Sequence, residues 1–373
     1  MKILLINKFH YNRGGSEAYY FALADALKEK GHEVIFFAMQ DEKNYPCEQE
    51  KYFVPNVDYN NRGGIKSKIK MLSSFFYNKT AAENMEKLLI NERPDLAHIG
   101  LINRQITFSI VEVLKKHHIP VVMTMHDLIF ACPNYTMLTK GHVCEKCLQG
   151  SVINCVKNKC VKDSIAKSIL GAVEKNYLLQ NNYYNFVNLY ITECDFYKKL
   201  LIESGVTTSR VITMSNFLPL NQKYGFNENY EDYILYFGRF SKEKGIITLL
   251  KAQKLLNGKH KMVLVGAGPF EHDIKEYIYQ NKIINVELPG PIYGAEMEIY
   301  LEKARVIIVP SEWYENCPYA ILQSMAKGKV VIASRIGGLP ELISDNETGL
   351  LFTAGDANSL ASKIEDVFNL TKE

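Results

Sequence analysis

The chain has 373 residues, 47% hydrophobic and 23% charged, with a formal net charge of +3. That length calls for two α/β domains rather than a single core, and the composition excludes a disordered or fibrous chain. No apolar run reaches the roughly 18 residues of a membrane-spanning helix, and the short run at the N-terminus lacks the build of a signal peptide, so a cytoplasmic protein is expected.

In chain order, the apolar run Lys2–Asn7 predicts a strand, and the 3.6-residue periodicity of Gly15–Lys30 a helix closed by Gly31-His32. Strands are expected at Glu33–Ala38, Leu96–Ile99 and Pro120–Met125, with a helix over Gln105–His118. Ser164–Asn185 reads as a long helix, followed by strand Leu189–Thr192, helix Phe196–Ser204 and strand Val211–Thr213. The turn-rich segment Asn216–Asn221 reads as a linker. Strands are then expected at Tyr233–Phe237, Lys261–Val265, Ile283–Leu288, Val306–Val309 and Val330–Ala333. Helices are expected at Gly245–Leu256, Phe270–Gln280, Ala295–Lys303 and Pro318–Gly328. Two such series define an α/β protein of two Rossmann-like parallel-sheet domains facing across a cleft, 1–215 and 216–373. The first domain carries a Cys-rich insert at about 132–160, and the last helix is expected to pack back on the first domain. Ligands of open parallel sheets lie at the carboxyl ends of strands, so the strand-to-helix loops carry the candidate site.

Four of these loops have suitable chemistry. In Gly238-Arg239-Phe240-Ser241-Lys242-Glu243-Lys244-Gly245 a planar guanidinium and a mobile ammonium share one loop, a combination suited to a diphosphate. Pro310-Ser311-Glu312-Trp313-Tyr314-Glu315-Asn316-Cys317-Pro318-Tyr319 runs from a strand into a helix start. Backbone N–H groups near Cys317 and Tyr319 are expected there to hold phosphate, while Glu315 accepts from sugar hydroxyls. Gly14-Gly15-Ser16-Glu17 lets backbone approach a ligand at another helix start. His126-Asp127 sets an imidazole at a strand end. Each loop alone is as readily structural as functional. Gly266-Ala267-Gly268-Pro269 is a poor dinucleotide fingerprint, with Glu271 at the third glycine position, so NAD binding is not the first reading.

Together these loops resemble glycosyltransferase family 4, the group 1 glycosyl transferases of retaining GT-B type, over essentially the whole chain. The resemblance also rests on Gly31-His32-Glu33-Val34, on Gln323-Ser324-Met325-Ala326-Lys327-Gly328 and Gly337-Gly338-Leu339-Pro340-Glu341, and on Glu347-Thr348-Gly349. It implies a hexosyltransferase-type enzyme that uses a nucleotide diphosphate sugar of UDP or GDP type, with no catalytic metal. Arg239 and Lys244 would clamp the donor diphosphate, Glu315 would contact the donor sugar, and Gly15 would lie near the phosphates. His126 would contact the sugar from the acceptor side, which makes His126 and Glu315 the expected catalytic residues; Gly266 belongs to the donor-binding motifs. The acceptor hydroxyl would attack from the face of the leaving phosphate, giving retention. One position departs from the family pattern: Gln323 stands where a second glutamate accepts from the ribose. An amide offers one acceptor side and one donor side, and neutral hydrogen bonds contribute about 0.5–1.5 kcal/mol against about 1.5–3 for charged ones. Donor binding is therefore expected to be weaker by about tenfold. A nucleotide-sugar epimerase of the same architecture and a weakly active sugar-binding scaffold are the alternatives.

Five of the eight cysteines fall between positions 132 and 160. Cys144, Cys147, Cys155 and Cys160 have spacings compatible with a structural zinc, with Cys132 and neighbouring histidines as stand-ins for one of them. Residues 1–215 carry 27 Lys and Arg against 21 Asp and Glu, and the remainder 17 against 20. That basic half, with the cationic and aromatic stretch Arg62–Tyr77, is compatible with peripheral contact with an anionic membrane at the inner face of the cell membrane. A glycan or lipid-linked acceptor is expected, and no nucleic acid, because a nucleic-acid reading leaves the ordered phosphate loops unexplained.

Overall fold

Most strand segments are short, apolar and rich in β-branched residues, a pattern suited to strands buried on both faces. The computed structural model describes residues 1–56, 74–219, 225 and 230–370. In chain order its first strands are β1 (Lys2–Ile6), β2 (Glu33–Phe37), β3 (Leu96–Ile99), β4 (Val121–Thr124), β5 (Leu138–Thr139), β6 (His142–Val143), β7 (Leu189–Thr192) and β8 (Val211–Thr213). Six of them form a parallel sheet in the order β2-β1-β3-β4-β7-β8, while β5 and β6 make a separate antiparallel hairpin. The helices of this half are α1 (Gly15–Glu29), α2 (Lys79–Glu92), α3 (Ser109–Lys116), α4 (Ile153–Lys157), α5 (Ile165–Gln180) and α6 (Asp195–Glu203).

Side chains alternate along a strand, and both faces of this sheet are used. Leu4, Ile6, Ile35 and Phe37 join a core with Met85 and Leu88 of α2 and Ile110 of α3. Ile3, Leu5 and Phe36 face the other way, onto Tyr20 and Ala24 of α1.

The second sheet has the order β11-β10-β9-β12-β13-β14. Its strands are β9 (Tyr233–Phe237), β10 (Lys261–Val265), β11 (Val286–Gly290), β12 (Val306–Val309), β13 (Val330–Ser334) and β14 (Leu350–Phe352). Its helices are α7 (Ile246–Leu255), α8 (Glu271–Gln280), α9 (Gly294–Lys303), α10 (Tyr319–Ala326), α11 (Leu339–Leu342) and α12 (Ala357–Asn369). Ile234, Leu264 and Ile308 pack with Leu249 of α7 and Ile364 of α12. Leu235, Val263 and Ile307 pack on the opposite face with Leu301 of α9 and Ile321 of α10. The chain order of strands reverses between β9 and β12, so loops diverge there and leave room for a ligand.

The chain divides into two compact units, one of Met1–Thr136 with Glu145–Ser215, the other of Met137–Cys144 with Asn216–Glu373. The Cys-rich segment is therefore shared: the hairpin β5–β6 groups with the second unit, where the position of a Cβ on Gly141 lies 3.4 Å from the Lys242 side chain. Helix α12 packs on α7 and is part of the second unit's core.

Other elements differ in detail from expectation. The helix expected over Ser164–Asn185 stops at Gln180, because Asn182 takes the left-handed conformation (φ +59°) before a single turn at Tyr183–Asn185. Helix α2 has no counterpart in the sequence reading; Asn78 caps it by accepting from the Ala81 N–H at 3.1 Å. Residues 62–73 of the cationic and aromatic stretch, and residues 220 and 221 of the linker, lie outside the described residues. Among the described residues no helix is long and apolar enough to cross a membrane.

Candidate active site

In the second unit the loops after β9 and β12 are pressed together. Gly245 caps α7 with φ +70°, and a Cβ there would sit 1.8 Å from the Pro310 carbonyl oxygen, so no side chain fits. The Glu312 N–H donates to the Glu243 carbonyl at 2.8 Å, and the Thr248 hydroxyl to Glu312 Oε1 at 2.6 Å. This clasp sets Lys244 Nζ 2.6 Å from Glu315 Oε1, which also accepts from the Ser311 hydroxyl at 2.6 Å. Lys244 Nζ lies 5.3 Å from the centre of the Trp313 ring, within cation–π range. Glu315 is buried, and burial alone would lift its pKa. The Lys244 ammonium and the Ser311 hydroxyl outweigh that and hold it below the ordinary carboxylate value. Arg239, on the same loop as Lys244, is exposed.

The glycines nearby serve close packing. A Cβ on Gly266 would lie 1.9 Å from the Gly238 carbonyl oxygen, so Gly266 lets the loops after β9 and β10 touch. A Cβ on Gly337 would lie 2.6 Å from the Glu315 carbonyl oxygen, and the Gly338 N–H donates to that carbonyl at 2.8 Å. Pro318 is the N-cap of α10 and Tyr319 its first residue, while the Cys317 N–H is taken by Asn316 Oδ1 at 2.7 Å. Gln323, partly buried, is in the second turn of α10.

In the first unit, Gly14 is the N-cap of α1 and Gly15 its first residue. Buried Asn7, just past β1, binds three neighbours: its Nδ2 donates to the Phe9 carbonyl (2.9 Å) and to Glu17 Oε1 (3.2 Å), and its Oδ1 accepts from the Leu101 N–H (2.9 Å). His126, just past β4, has Nδ1 at 2.6 Å from Glu193 Oε1, just past β7. Their side chains are 6% and 1% exposed. The Tyr19 ring meets His126 edge-on, with centroids 5.1 Å apart. Burial would lower the His126 pKa, but Glu193, with Glu17 and Asp127, holds it above the ordinary imidazole value. Asp127 accepts from Asn103 Nδ2 at 2.8 Å, and burial raises its pKa.

The sequence reading did not find Asn7, Tyr19 or Glu193. A signal for Glu193 existed: β4 and β7 are parallel with Val122 opposite Leu189 and Thr124 opposite Ile191, and the same register carried past the strand ends sets His126 opposite Glu193.

Cys147, Cys155 and Cys160 share an apolar cluster with Val161, whereas Cys144 groups with the other unit. Buried Lys175 ties this region together, donating to the carbonyls of Ala131 (2.7 Å) and Cys147 (2.8 Å). Burial, then the neighbouring Cys160, Cys132 and Cys147, pushes the Cys155 thiol up to about 12. Among the described residues no three His, Cys, Asp or Glu side chains form a group that would hold a metal ion.

Two doubly wound parallel sheets, each with polar and charged loops beyond its strand ends, are the architecture of the GT-B glycosyltransferases. A family model described as Glycosyltransferase Family 4 matches residues 13–222, and one described as Glycosyl transferases group 1 matches residues 220–373. The chain belongs to glycosyltransferase family 4 and is a glycosyltransferase. It is 25% identical over 355 residues to an uncharacterized 42.6 kDa protein in the cps region of Klebsiella pneumoniae, covering 92% of this chain and 87% of that protein. It is 31% identical over 138 residues to the amylovoran biosynthesis glycosyltransferase AmsK of Erwinia amylovora, covering 35% of this chain and 34% of AmsK. Its fold is similar to that of Anabaena HepE in complex with UDP and glucose. The TM-score is 0.68 at 18% identity, over 99% of this chain and 90% of that one.

Proposed function

We propose that the enzyme moves a hexose from a nucleoside diphosphate donor, of UDP or GDP type, to a hydroxyl of a glycan or lipid-linked glycan with retention at the anomeric carbon. The observation that carries this reading is the Lys244–Glu315–Ser311 cluster at the point where the second sheet's strand order reverses. Lys244 and exposed Arg239 supply positive charge for a diphosphate leaving group, and Glu315, ionised by its neighbours, accepts from sugar hydroxyls. The acceptor oxygen bonds to the anomeric carbon as the bond to the diphosphate oxygen breaks. The acceptor proton passes to that departing oxygen, so no protein base is required. The donor class is supported by the similar fold of HepE in complex with UDP and glucose, and a role in polysaccharide assembly by the names of AmsK and the cps-region relative.

Lys244 and Arg239 supply the charge stabilisation that a metal would otherwise give. The epimerase alternative is set aside, because both family models describe glycosyl transferases.

The test is a thermal-shift screen with UDP, GDP, ADP and their sugar conjugates. A ligand at a hundredfold excess over its dissociation constant stabilises the folded state by about 2.7 kcal/mol. A shift with one nucleotide family identifies the base; no shift with any of them removes the donor assignment.

A further inference from the structure

Two imidazoles lie close together at the first sheet, and their surroundings shift their pKa values in opposite directions. His98, on β3, is buried with Nε2 2.7 Å from the Thr124 hydroxyl; burial, then the nearby His126, lowers its pKa to about 4. It is therefore neutral near pH 7. His126 is also deeply buried, yet its pKa is raised. The difference is Glu193, whose carboxylate lies against His126 Nδ1, whereas His98 has only a hydroxyl. The groups facing His126 are Glu193 beyond β7, Glu17 and Tyr19 of α1, the adjacent Asp127, and His98 of β3.

We propose that Glu193 is the positioning residue of His126, holding the ring by its Nδ1–H so that Nε2 is presented to the donor sugar. This rests on the reading that His126 meets that sugar. A carboxylate on one ring nitrogen fixes the ring plane and keeps the other nitrogen a donor, whereas the neutral ring bonded through Nδ1–H would offer Nε2 as an acceptor. The parallel register of β4 and β7, carried past the strand ends, sets the two residues opposite each other.

The experiment uses the full chain and the variants Glu193→Gln, Glu193→Asp and His126→Ala. Glu193→Gln is isosteric and keeps a hydrogen-bond acceptor for Nδ1–H without the charge. The His126 pKa is read by NMR of the imidazole nitrogens in the ligand-free protein, and hydrolysis of UDP-glucose is followed against pH. In Glu193→Gln the His126 pKa falls by about one unit or more, a tenfold change in its protonation ratio. The basic limb of kcat moves down in pH with it, kcat near pH 7 falls about tenfold while KM changes little, and Glu193→Asp recovers part of the loss. An unchanged His126 pKa in Glu193→Gln overturns the proposal. A shifted pKa with normal hydrolysis in His126→Ala also overturns it: the pair is then structural, and the assignment of His126 to the sugar fails separately from the donor site around Lys244.

Discussion

The two sheets share an architecture but treat charge at their strand ends differently. In the first unit the polar groups are buried and tied to one another: His126 to Glu193, Asn7 to Glu17, Asp127 to Asn103. In the second, Arg239 is exposed and Lys244 is a quarter exposed, while Glu315 is enclosed. Strand order accounts for part of this. Lys244 and Glu315 follow β9 and β12, where the second sheet's order reverses, while His126 and Glu193 follow β4 and β7, adjacent strands that run on in one direction. Diverging loops at the second sheet's reversal leave its cations reachable by an anion. The first unit is thus suited to holding a ring rigidly, the second to receiving and releasing a charged group.

The contrast breaks most decisively at Lys244. Lys244→Ala strands a buried carboxylate, and removing one partner of such a pair costs about 3–5 kcal/mol. A large drop in melting temperature and loss of donor turnover are expected, and Glu315→Ala in the same chain restores much of the stability but none of the turnover. A Lys244→Ala protein as stable as the parent would show the pair to be dispensable. Next in size is Gly245→Ala, which meets the Pro310 carbonyl and is expected to lose about 2–3 kcal/mol by denaturant unfolding. Gly31→Ala, also at positive φ but with no atom within 4 Å of the added carbon, should lose only about 1 kcal/mol. Equal losses at the two glycines would refute the clasp between the β9 and β12 loops.

Acid sharpens the picture of the first unit. His10 and His98 both have pKa values of about 4 when folded, against 6.5 ordinarily, with burial the leading cause. Above pH 6.5 they are neutral in both states; between 6.5 and 4 the unfolded chain binds protons that the native chain does not. Stability should fall across that window by on the order of 3 kcal/mol per histidine. His126 acts in the opposite sense: its contribution is complete below pH 6.5 and is lost as pH rises through its raised folded value. Denaturant unfolding at pH 7 and pH 4.5 should separate by several kcal/mol in the parent and by less in His98→Asn; coincident curves would contradict this account.

On the proposed clamp, Arg239→Ala would remove a charge-assisted contact of about 1.5–3 kcal/mol, so affinity for UDP or GDP by calorimetry should fall roughly 10- to 100-fold with stability nearly unchanged. The smallest effect is at Gln323. Glu in its place adds a charged acceptor and should tighten donor binding by about tenfold, and unchanged affinity would show that α10 does not reach the ribose.

Strand periodicity, glycine positions and residue types in strand-to-helix loops were legible in the sequence because they are local. They marked both sheets, the loops that carry Arg239, Lys244 and Glu315, and the family, which the matches at 13–222 and 220–373 confirm. Helix α2 escaped because its capping and burial depend on partners elsewhere: Asn78 also donates to the Gln105 carbonyl, and Ser109 donates to the Asn78 carbonyl. The unit that the hairpin before Cys144 joins was not legible either, since spacing along the chain says nothing of it, and Cys144 groups with the second. Glu193 escaped for the same reason, since a glutamate after a strand is unremarkable until the register of β4 and β7 sets it against His126. Sequence by itself determined most of the elements and which loops hold charge, because those depend largely on near neighbours along the chain. Only the tertiary structure decided which charges pair and which way each histidine's pKa moves, because burial and pairing are set by residues tens of positions apart.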